Sequence, residues 1–443
     1  MCSETESLRE LLPVARHLAE GPSRRRSLPQ GYDIKKGEKV LLAVNNHYDD
    51  LVVKALVAAV REKGASIDVI TFDSGPDRDL HELDEIRSRI RRKHLTDPAA
   101  EAEIKGVGFG SGYGRLAWVE QLADEKYDLL MYGIGGPGGK IRSRYEGVPW
   151  FSADAFACGG PTFPIEIIDA VEAKTWDIFW NKGPGGRVRL TDPEGTDLTY
   201  TLWEDYFTGT WRQFTSKPYT AHLMGHPTLP LIEKEDGCGV IAGTTNHASC
   251  PFPHIKVFLE NTKVVKIEGG GQYGDGWRDL MNETKHLKYP DFPGEGLFWL
   301  WEVAIGTNPK YIRPKNAFTL AVGGTMIERR RSGIIHCGIG TGHHSAGQDW
   351  AGKLGLPYGH LHVHLMFPTY EITTKRGEKF TLIKDGRITA LDDPEVRKIA
   401  AKYGDPDKLL REDWVPPIPG INAPGDYWQD YAQNPFSYVK VHG

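Results

Sequence analysis

Residues 35–72 read KKGEKVLLAVNNHYDDLVVKALVAAVREKGASIDVITF and contain two apolar runs on either side of an amphipathic segment. The run at 40–44 predicts a strand, and the apolar period over 51–64, which ends at a glycine, predicts a helix. Residues 65–72 predict a second strand. A strand, a helix and a strand within so short a span indicate a βαβ unit, whose crossover is right-handed.

The chain around this unit continues the same pattern. An amphipathic helix is predicted over 8–18, and a charge-rich helix is predicted over 79–105. The apolar run YDLLMYGI at 127–134 predicts a further buried strand before a glycine-rich loop. Alternating strands and helices are typical of a layered fold with a parallel sheet. The sequence therefore predicts an α/β protein with an N-terminal Rossmann-like α/β domain over residues 1–158.

Residues 159–414 differ in character and predict a β-rich α+β domain that binds a metal. Alternating strands flank a turn in three places, which indicates hairpins. These hairpins fall at 186–202, 255–270 and 378–389. Helices are predicted over 273–287 and 296–303. The tail, residues 415–443, is rich in proline, glycine and aromatic residues, and it predicts an extended arm packed across its own domain or a neighbouring subunit.

Composition narrows the class of protein. The 443 residues include 54 Lys and Arg against 59 Asp and Glu, and this slightly acidic balance argues against nucleic acid as a partner. There is no apolar run of about 18 residues, so a membrane-spanning helix is not expected, and a secretory signal is not expected either. Five cysteines without CxxC spacing fit a reducing compartment. We therefore expect a cytoplasmic protein.

Histidine is the residue type that points to chemistry, because six of the 16 histidines lie between 336 and 364. Imidazole is the commonest metal ligand and also an acid or base near neutral pH. His360, His362 and His364 alternate in GHLHVH, so on a strand they face one side and two of them can chelate one ion. A polar stripe facing solvent is the alternative, but three alternating histidines favour a metal bound by His360 and His362. Residues expected to flank the ion are His336, His343, His344 and His364.

Glu302 is the carboxylate that best fits this site. It lies in FWLWEVAI among aromatic and aliphatic residues, and a buried carboxylate in such company must be paired, protonated or bound to metal. Glu302 with His360 and His362 would form the set of two histidines and one carboxylate that is typical of non-haem Fe(II). The same residue types suit Zn²⁺ with an open water position, so the residues alone leave both metals open.

Other candidates for the site are weaker. His226 in GHP and His247 in NHASCPFPH are candidate bases on the substrate side, and Tyr273 and Trp277 are candidates for a stacking wall. The glycine-dense stretches at 106–114 and 132–140 lack the GxGxxG arrangement of a nucleotide site. Serine hydrolase, HExxH and P-loop motifs do not occur in the sequence.

Several motifs resemble those of a known metalloenzyme family. HYDD after the first strand, KIEGGGQYGDGWRDLM at 266–281, WEVAIGTNP at 301–309 and GHLHVHL at 359–365 are similar to segments of 2,5-dihydroxypyridine 5,6-dioxygenase (the NicX type) and of the aminopeptidase T/S metallopeptidases. The resemblance covers nearly the whole chain from VLLAVNNHYDD onward, with extra residues here mostly within 75–215. It implies a metal-dependent enzyme that forms a homo-oligomer.

The resemblance also implies a ligand set. The dioxygenases hold one Fe(II) with a histidine at the position of Glu302 and with a His-x-Asp pair at His360 and His362. Here glutamate replaces that histidine and histidine replaces that aspartate, so two histidines and one carboxylate remain in permuted order.

The aminopeptidases imply a different, two-metal set. They carry glutamate at Glu302, histidine at His336, tyrosine at His343, His-x-Asp at 360–362 and a further glutamate near His226. The replacement of two carboxylates by histidine lowers the anionic charge for two divalent ions, so a two-metal site is the less favoured reading.

The sequence therefore predicts a mononuclear non-haem Fe(II) dioxygenase, with Glu302, His360 and His362 as ligands. It would cleave the ring of a small hydroxylated aromatic or N-heterocycle with O₂. A hydrolase of the aminopeptidase T/S type, using Zn²⁺ or Mn²⁺, is the alternative. A non-catalytic metal-binding protein is a third and less favoured reading.

Overall fold

The computed structural model of the chain describes residues 4–23, 31–72, 117–133, 142–150, 152–208, 223–226, 229–246, 251–313, 328–341 and 346–442. These residues form two compact units. The first unit contains the described residues of Met1–Leu80, Pro98–Ile165 and Lys310–Glu328. The second contains those of Glu166–Pro309 and Arg329–Gly443. The fold is α/β.

The first unit is built on a parallel sheet with strand order β2-β1-β3-β4. Its strands are β1 (Lys39–Asn45), β2 (Ser66–Phe72), β3 (Leu129–Tyr132) and β4 (Arg144–Gly147). Its helices are α1 (Glu4–Glu20), α2 (Asp50–Glu62), α3 (Ala117–Lys126) and α4 (Ala153–Ala157). The predicted βαβ unit and the predicted strand within 127–134 are confirmed, and the helix predicted over 79–105 lies outside the described residues.

The sequence of β1 explains its central place in this sheet. Val40 to Val44 are at most 1% exposed, because parallel strands in such folds are covered on both faces and so read as continuous apolar runs. Asp49 then accepts a hydrogen bond from the backbone N–H of Leu51 and caps α2, which fixes where the strand gives way to the helix.

The second unit contains an eight-stranded antiparallel sheet with the order β10-β9-β8-β6-β5-β14-β15-β16. These strands are β5 (Arg187–Asp192), β6 (Thr196–Thr201), β8 (Cys238–Thr245), β9 (Pro251–Glu260), β10 (Lys263–Gly269), β14 (Thr369–Thr373), β15 (Lys379–Lys384) and β16 (Arg387–Ile388). All three predicted hairpins are confirmed. Asp385 and Gly386 both have positive φ, as the two central residues of a tight hairpin turn require.

A smaller antiparallel sheet in the same unit has the order β13-β12-β11-β7. Its strands are β7 (Leu223–His226), β11 (Leu300–Ile305), β12 (Ile335–Gly340) and β13 (His360–Leu365). The strand predicted for GHLHVH is confirmed as β13. The helix predicted over 296–303 is wrong, because this segment leads into β11. Every residue of β11 is buried, and a strand that is buried on both faces cannot be distinguished from a buried helix by its periodicity.

Helices and helical turns complete the second unit. They are α5 (Ile165–Trp176), α6 (Gly271–Thr284), α7 (Ala346–Leu354), α8 (Pro394–Ala400), α9 (Pro406–Leu409), α10 (Pro435–His442), the π-helices Asp177–Lys182 and Tyr427–Tyr431, and the 3-10 turns Glu204–Phe207 and Thr389–Asp392. A further 3-10 turn, Glu328–Arg330, precedes β12. The helix predicted over 273–287 is confirmed as α6. None of the helices within the described ranges is long and apolar enough to cross a membrane.

The C-terminal tail departs from the extended arm that its composition predicts. From Tyr427 onward it coils into a π-helix and then α10. It packs against β9, where the His254 ring contacts that of Trp428 with ring centroids 4.8 Å apart and the backbone N–H of His254 donates to the carbonyl of Ala432. Tyr431 of this turn is buried, and such burial of an aromatic ring favours the helical turn.

Candidate metal centre

Three neighbouring strands bring a carboxylate and two imidazoles to one face of the smaller sheet. Glu302 of β11 pairs with Gly338 of β12, and Gly338 pairs in turn with His362 of β13. His336 lies two residues before Gly338 on β12. Because opposed residues share a face, as do residues two apart on one strand, all of these positions face the same side.

The ligand atoms of Glu302, His336 and His362 converge on one point. The Nε2 atom of His336 lies 3.0 Å from Oε1 of Glu302, and the Nε2 atom of His362 lies 3.3 Å from Oε2. The two imidazole rings are 5.2 Å apart between centroids. All three ligand atoms lie within 4.8 Å of one another, and theirs is the one such group within the described parts of the chain.

The protonation states of the three side chains suit a metal. Burial lowers the pKa of His336 to about 4 and that of His362 to about 3, so both imidazoles are neutral at pH 7. Burial alone would raise the pKa of Glu302, but the contacts with His336 and His362 hold it well below its usual value. A divalent ion needs neutral imidazoles and an ionised carboxylate, and this group provides both.

His364 lies at the edge of this cluster. It pairs with His336 across β12 and β13, its ring centroid is 5.8 Å from that of His336, and its side chain is fully buried. The alternation in GHLHVH predicts His364 beside the ion, and its ring lies next to that of a ligand candidate, His336. It is not part of the group of three whose ligand atoms converge.

His336 is a ligand candidate that the histidine pattern predicts only beside the ion, whereas the resemblance to the aminopeptidases implies a histidine ligand at this position. Its distance of 24 residues from His360 gave no signal that a strand pairing would bring it to Glu302. His360, the predicted ligand, begins β13 and pairs with Gly340, but its side chain lies outside the described residues. His247, His343 and His344 also lie outside them.

His226 belongs to a different environment. It pairs with Val303, the neighbour of Glu302, and adjacent residues of a strand face opposite sides of the sheet. Its Nε2 atom lies 3.5 Å from Oε2 of Glu235, and both side chains are 1% exposed. His226 is therefore part of a buried pair on the far face of β11, and the structure does not bring it to the cluster.

Tyr273 touches the backbone of the site. Its hydroxyl donates a hydrogen bond of 2.9 Å to the carbonyl oxygen of His362. The ring centroid of Trp277 lies 5.1 Å from that of Tyr273, and Trp277 is fully buried against Phe298. The contacts of Tyr273 therefore indicate a role in holding β13, and those of Trp277 are core packing.

Arg329 is a residue near the site that the sequence analysis missed. It lies in ERRRSG at 328–333, directly before β12, and is 8% exposed. After burial, its charge is a further cause that lowers the pKa of His336 and of His362. The charge of Glu302 raises the pKa of Arg329, against the larger effect of burial. Three consecutive arginines next to an apolar strand could have indicated a buried charged group, because Arg is rarely buried without a partner.

Two solved structures are similar to the chain. No protein-family model matches the chain, and no curated protein is similar to it. Among solved structures, 2,5-dihydroxypyridine dioxygenase from Pseudomonas putida KT2440 is similar, with 12% identity, a TM-score of 0.44, and coverage of 88% of this chain and 98% of that one. AmpT from Thermus thermophilus is also similar, with 14% identity, a TM-score of 0.45, and coverage of 86% and 99%.

These two proteins are of the kinds that the sequence motifs resemble, so the predicted resemblance is confirmed.

Proposed function

We propose that the chain is a metal-dependent enzyme whose single divalent ion is held by Glu302, His336 and His362, and that it is a non-haem Fe(II) dioxygenase acting on a small hydroxylated aromatic or N-heterocycle. The observation that carries the proposal is the convergence of three buried ligand atoms within 4.8 Å. The role of His360 as a further ligand of this ion remains a prediction.

The donor set supports iron. Two neutral imidazoles and one carboxylate on one side of an ion are typical of non-haem Fe(II) oxygenases. When bound, the iron would supply open positions for substrate and O₂ and a path for electrons from the substrate to O₂. The motifs at 266–281, 301–309 and 359–365, which resemble ring-cleaving dioxygenases, support the substrate class.

The surrounding protein orients the ligand side chains and shields them from water. The strand pairing of Glu302, Gly338 and His362 fixes the carboxylate and one imidazole, and Glu302 orients both Nε2 atoms through its two oxygens. His336 and His362 are fully buried, and Glu302 is 7% exposed, so bulk water has little access to the ligand atoms. Low dielectric around the site strengthens every electrostatic contact there.

A metal-dependent hydrolase is the second candidate, and the same donor set is what favours it. Two histidines and one glutamate also hold catalytic Zn²⁺ with a water in the fourth position. The described ligand group fits one ion, which favours a one-metal hydrolase over the two-metal aminopeptidase.

Metal content and O₂ consumption test the proposal together. The protein is purified without oxygen, its metals are measured, and O₂ uptake is followed with a panel of dihydroxypyridines and dihydroxybenzenes. The expected result is about one iron per chain and uptake of O₂ that depends on substrate. The matched control is Glu302→Gln, which keeps the shape of the side chain and removes its charge.

Two other results would contradict the proposed dioxygenase. Iron-loaded protein that consumes no O₂ with any member of the panel contradicts the dioxygenase. Retention of zinc, together with hydrolysis of amide or peptide substrates, would replace it with the hydrolase.

A further inference from the structure

The strand that carries His362, β13, turns part of its backbone away from its neighbour β12. The backbone N–H of Thr341 donates a hydrogen bond of 2.9 Å to the carbonyl of Gly359, directly beyond the pair of Gly340 and His360. In an antiparallel ladder this marks a pair whose own N–H and C=O groups point outward, and such pairs recur every second residue. The carbonyl groups of every second residue of β13, counted from its first, therefore point away from β12.

Two neighbouring elements lie against these outward carbonyls. Tyr273 of α6 donates its hydroxyl to the carbonyl of His362 at 2.9 Å. At His364 the neighbour is Gly243 of β8, where a Cβ would lie 3.0 Å from the carbonyl oxygen of His364 and 3.8 Å from Oε2 of Glu194. The carbonyl of His364 and the carboxyl of Glu194 therefore border the same glycine.

The two carboxyl oxygens of Glu194 differ in their contacts. Oε1 accepts hydrogen bonds from Thr244 and Tyr427, at 2.8 and 2.9 Å. Oε2 is buried and has no hydrogen-bond partner among the residues that the structure describes. A proton on Oε2 removes the charge from this buried group and leaves an O–H that needs an acceptor.

The groups around this carboxyl favour its neutral form. Burial, and after it the charge of Asp192, raises the pKa of Glu194 to about 8. Burial lowers the pKa of His254, whose Nε2 atom lies 2.8 Å from the backbone carbonyl of Glu194, so this imidazole brings no positive charge at pH 7. The tail contributes the hydroxyl of Tyr427 and, next to Thr244, that of Tyr431, and β13 contributes the backbone of His364.

We propose that Glu194 is a positioning residue for the metal site, whose protonated carboxyl donates a hydrogen bond to the carbonyl of His364 and so holds β13. Tyr273 and Glu194 then fasten two successive outward carbonyls of the strand that carries His362. When the pH rises past the pKa of Glu194, the donor is lost and a negative charge faces a carbonyl oxygen, so β13 is released. The consequence for metal affinity rests on the proposed function, whereas the contact with β13 requires no bound ion.

Amide hydrogen exchange over β13 tests this contact in the metal-free protein at pH 6.5 and pH 9. Glu194→Gln keeps a donor at both pH values, because its amide donates through nitrogen and accepts through oxygen as the protonated acid does. Wild type should exchange like Glu194→Gln at pH 6.5 and about tenfold faster over β13 at pH 9. Glu194→Met, which has a similar length and no donor, should exchange faster than Glu194→Gln at both. Glu268→Gln, at an exposed ion pair, is the matched control.

Metal affinity gives a second readout of the same variants. Titration with chelator-buffered Zn²⁺ should show weaker binding by wild type than by Glu194→Gln at pH 9, and equal binding at pH 6.5. Glu194→Met should bind the ion more weakly than Glu194→Gln at both pH values.

Three results would overturn the inference. These are equal exchange of wild type and Glu194→Gln over β13 at pH 9, full protection of β13 in Glu194→Met, or faster exchange spread evenly over β5, β6 and β8, which would mean general destabilisation. If Glu194→Met does not fold, the comparison of wild type with Glu194→Gln still decides. A wild type that binds neither Zn²⁺ nor Fe(II) would overturn the proposed function, and exchange over β13 would still decide the role of Glu194.

Discussion

Gly338 faces Glu302 across β11 and β12, and a Cβ on Gly338 would lie 2.8 Å from Oε2 of that carboxylate. The same Cβ would lie 3.2 Å from Nε2 of His362. At this level of the sheet β12 has no side chain, whereas β11 and β13 on either side carry Glu302 and His362. A side chain at this position would crowd the Glu302 carboxylate and the His362 imidazole, so their arrangement would have to change.

Gly338→Ala is expected to abolish metal binding while the protein stays folded. The added methyl group pushes the Glu302 carboxylate and the His362 ring apart, and overpacking of this kind costs about 1–3 kcal/mol. Metal content and circular dichroism check the two parts of the prediction. Gly352→Ala is the control, because this helical glycine has its nearest neighbour at 3.8 Å. Full metal content in Gly338→Ala would contradict the site.

His336→Ala and His362→Ala should each weaken metal binding by more than about 100-fold, since loss of a ligand exceeds the effect of losing an outer partner. Titration of the metal-free protein with Fe(II) or Zn²⁺ measures the change. His254→Ala is the matched control, because His254 is partly buried and its Nε2 atom contacts a backbone carbonyl, that of Glu194. Unchanged metal affinity in His336→Ala would show that His336 is not a ligand, and His360 would then be the third ligand candidate.

The elements that the sequence predicts best are those with a local signal. The βαβ unit at 39–72 and the hairpin around Asp385 and Gly386 are determined by periodicity and turn chemistry within a few residues. β11 was mistaken for a helix, because its identity depends on pairing with β7 and β12, which is a long-range property. The helical end of the tail depends in the same way on the aromatic contacts it makes with β9.

The residues of the site also differ in whether a local sequence signal predicts them. Glu302 and His362 were predicted, because a carboxylate in an apolar run and alternating histidines are visible within single segments. The residue pattern alone does not give His336 as a ligand or Arg329 as a neighbour, because both depend on the register of β11, β12 and β13. Only the resemblance to the aminopeptidases implied a histidine ligand at His336. The same register places His226 on the far face of the sheet.

Tyr273→Phe should weaken metal affinity modestly, by about fivefold, because one hydrogen bond to the carbonyl of His362 is worth about 1 kcal/mol. The ring and its packing against Trp277 remain in this variant. Tyr289→Phe is the control, since Tyr289 donates in the same way to the carbonyl of Pro357, which is not a ligand candidate. Equal loss of affinity in both variants would mean that the effect is general destabilisation.

A buried acidic pair in the second unit makes stability depend on pH. Burial, and next to it the charge of Asp192, raises the pKa of Glu194 to about 8, while burial raises the pKa of Asp192 to about 6. Thr244 and Tyr427 donate hydrogen bonds to Glu194, at 2.8 and 2.9 Å, so the pair lies where the C-terminal tail packs. The unfolded carboxyls titrate near 4, so the folded protein binds more protons than the unfolded chain between about pH 5 and 8.

The free energy of unfolding should therefore fall as pH rises through this range, with a contribution from each group of up to about 1.4 kcal/mol per pH unit. Glu194→Gln removes one titrating group, so it should become more stable relative to wild type as pH increases from 5 to 8. Urea unfolding of both proteins at several pH values measures this difference. Glu268→Gln, at an exposed ion pair with Lys266, serves as control and should show no such trend. If the difference between Glu194→Gln and wild type stays constant with pH, Glu194 does not bind its proton in the folded protein, and the tail packs against a carboxylate that is already ionised.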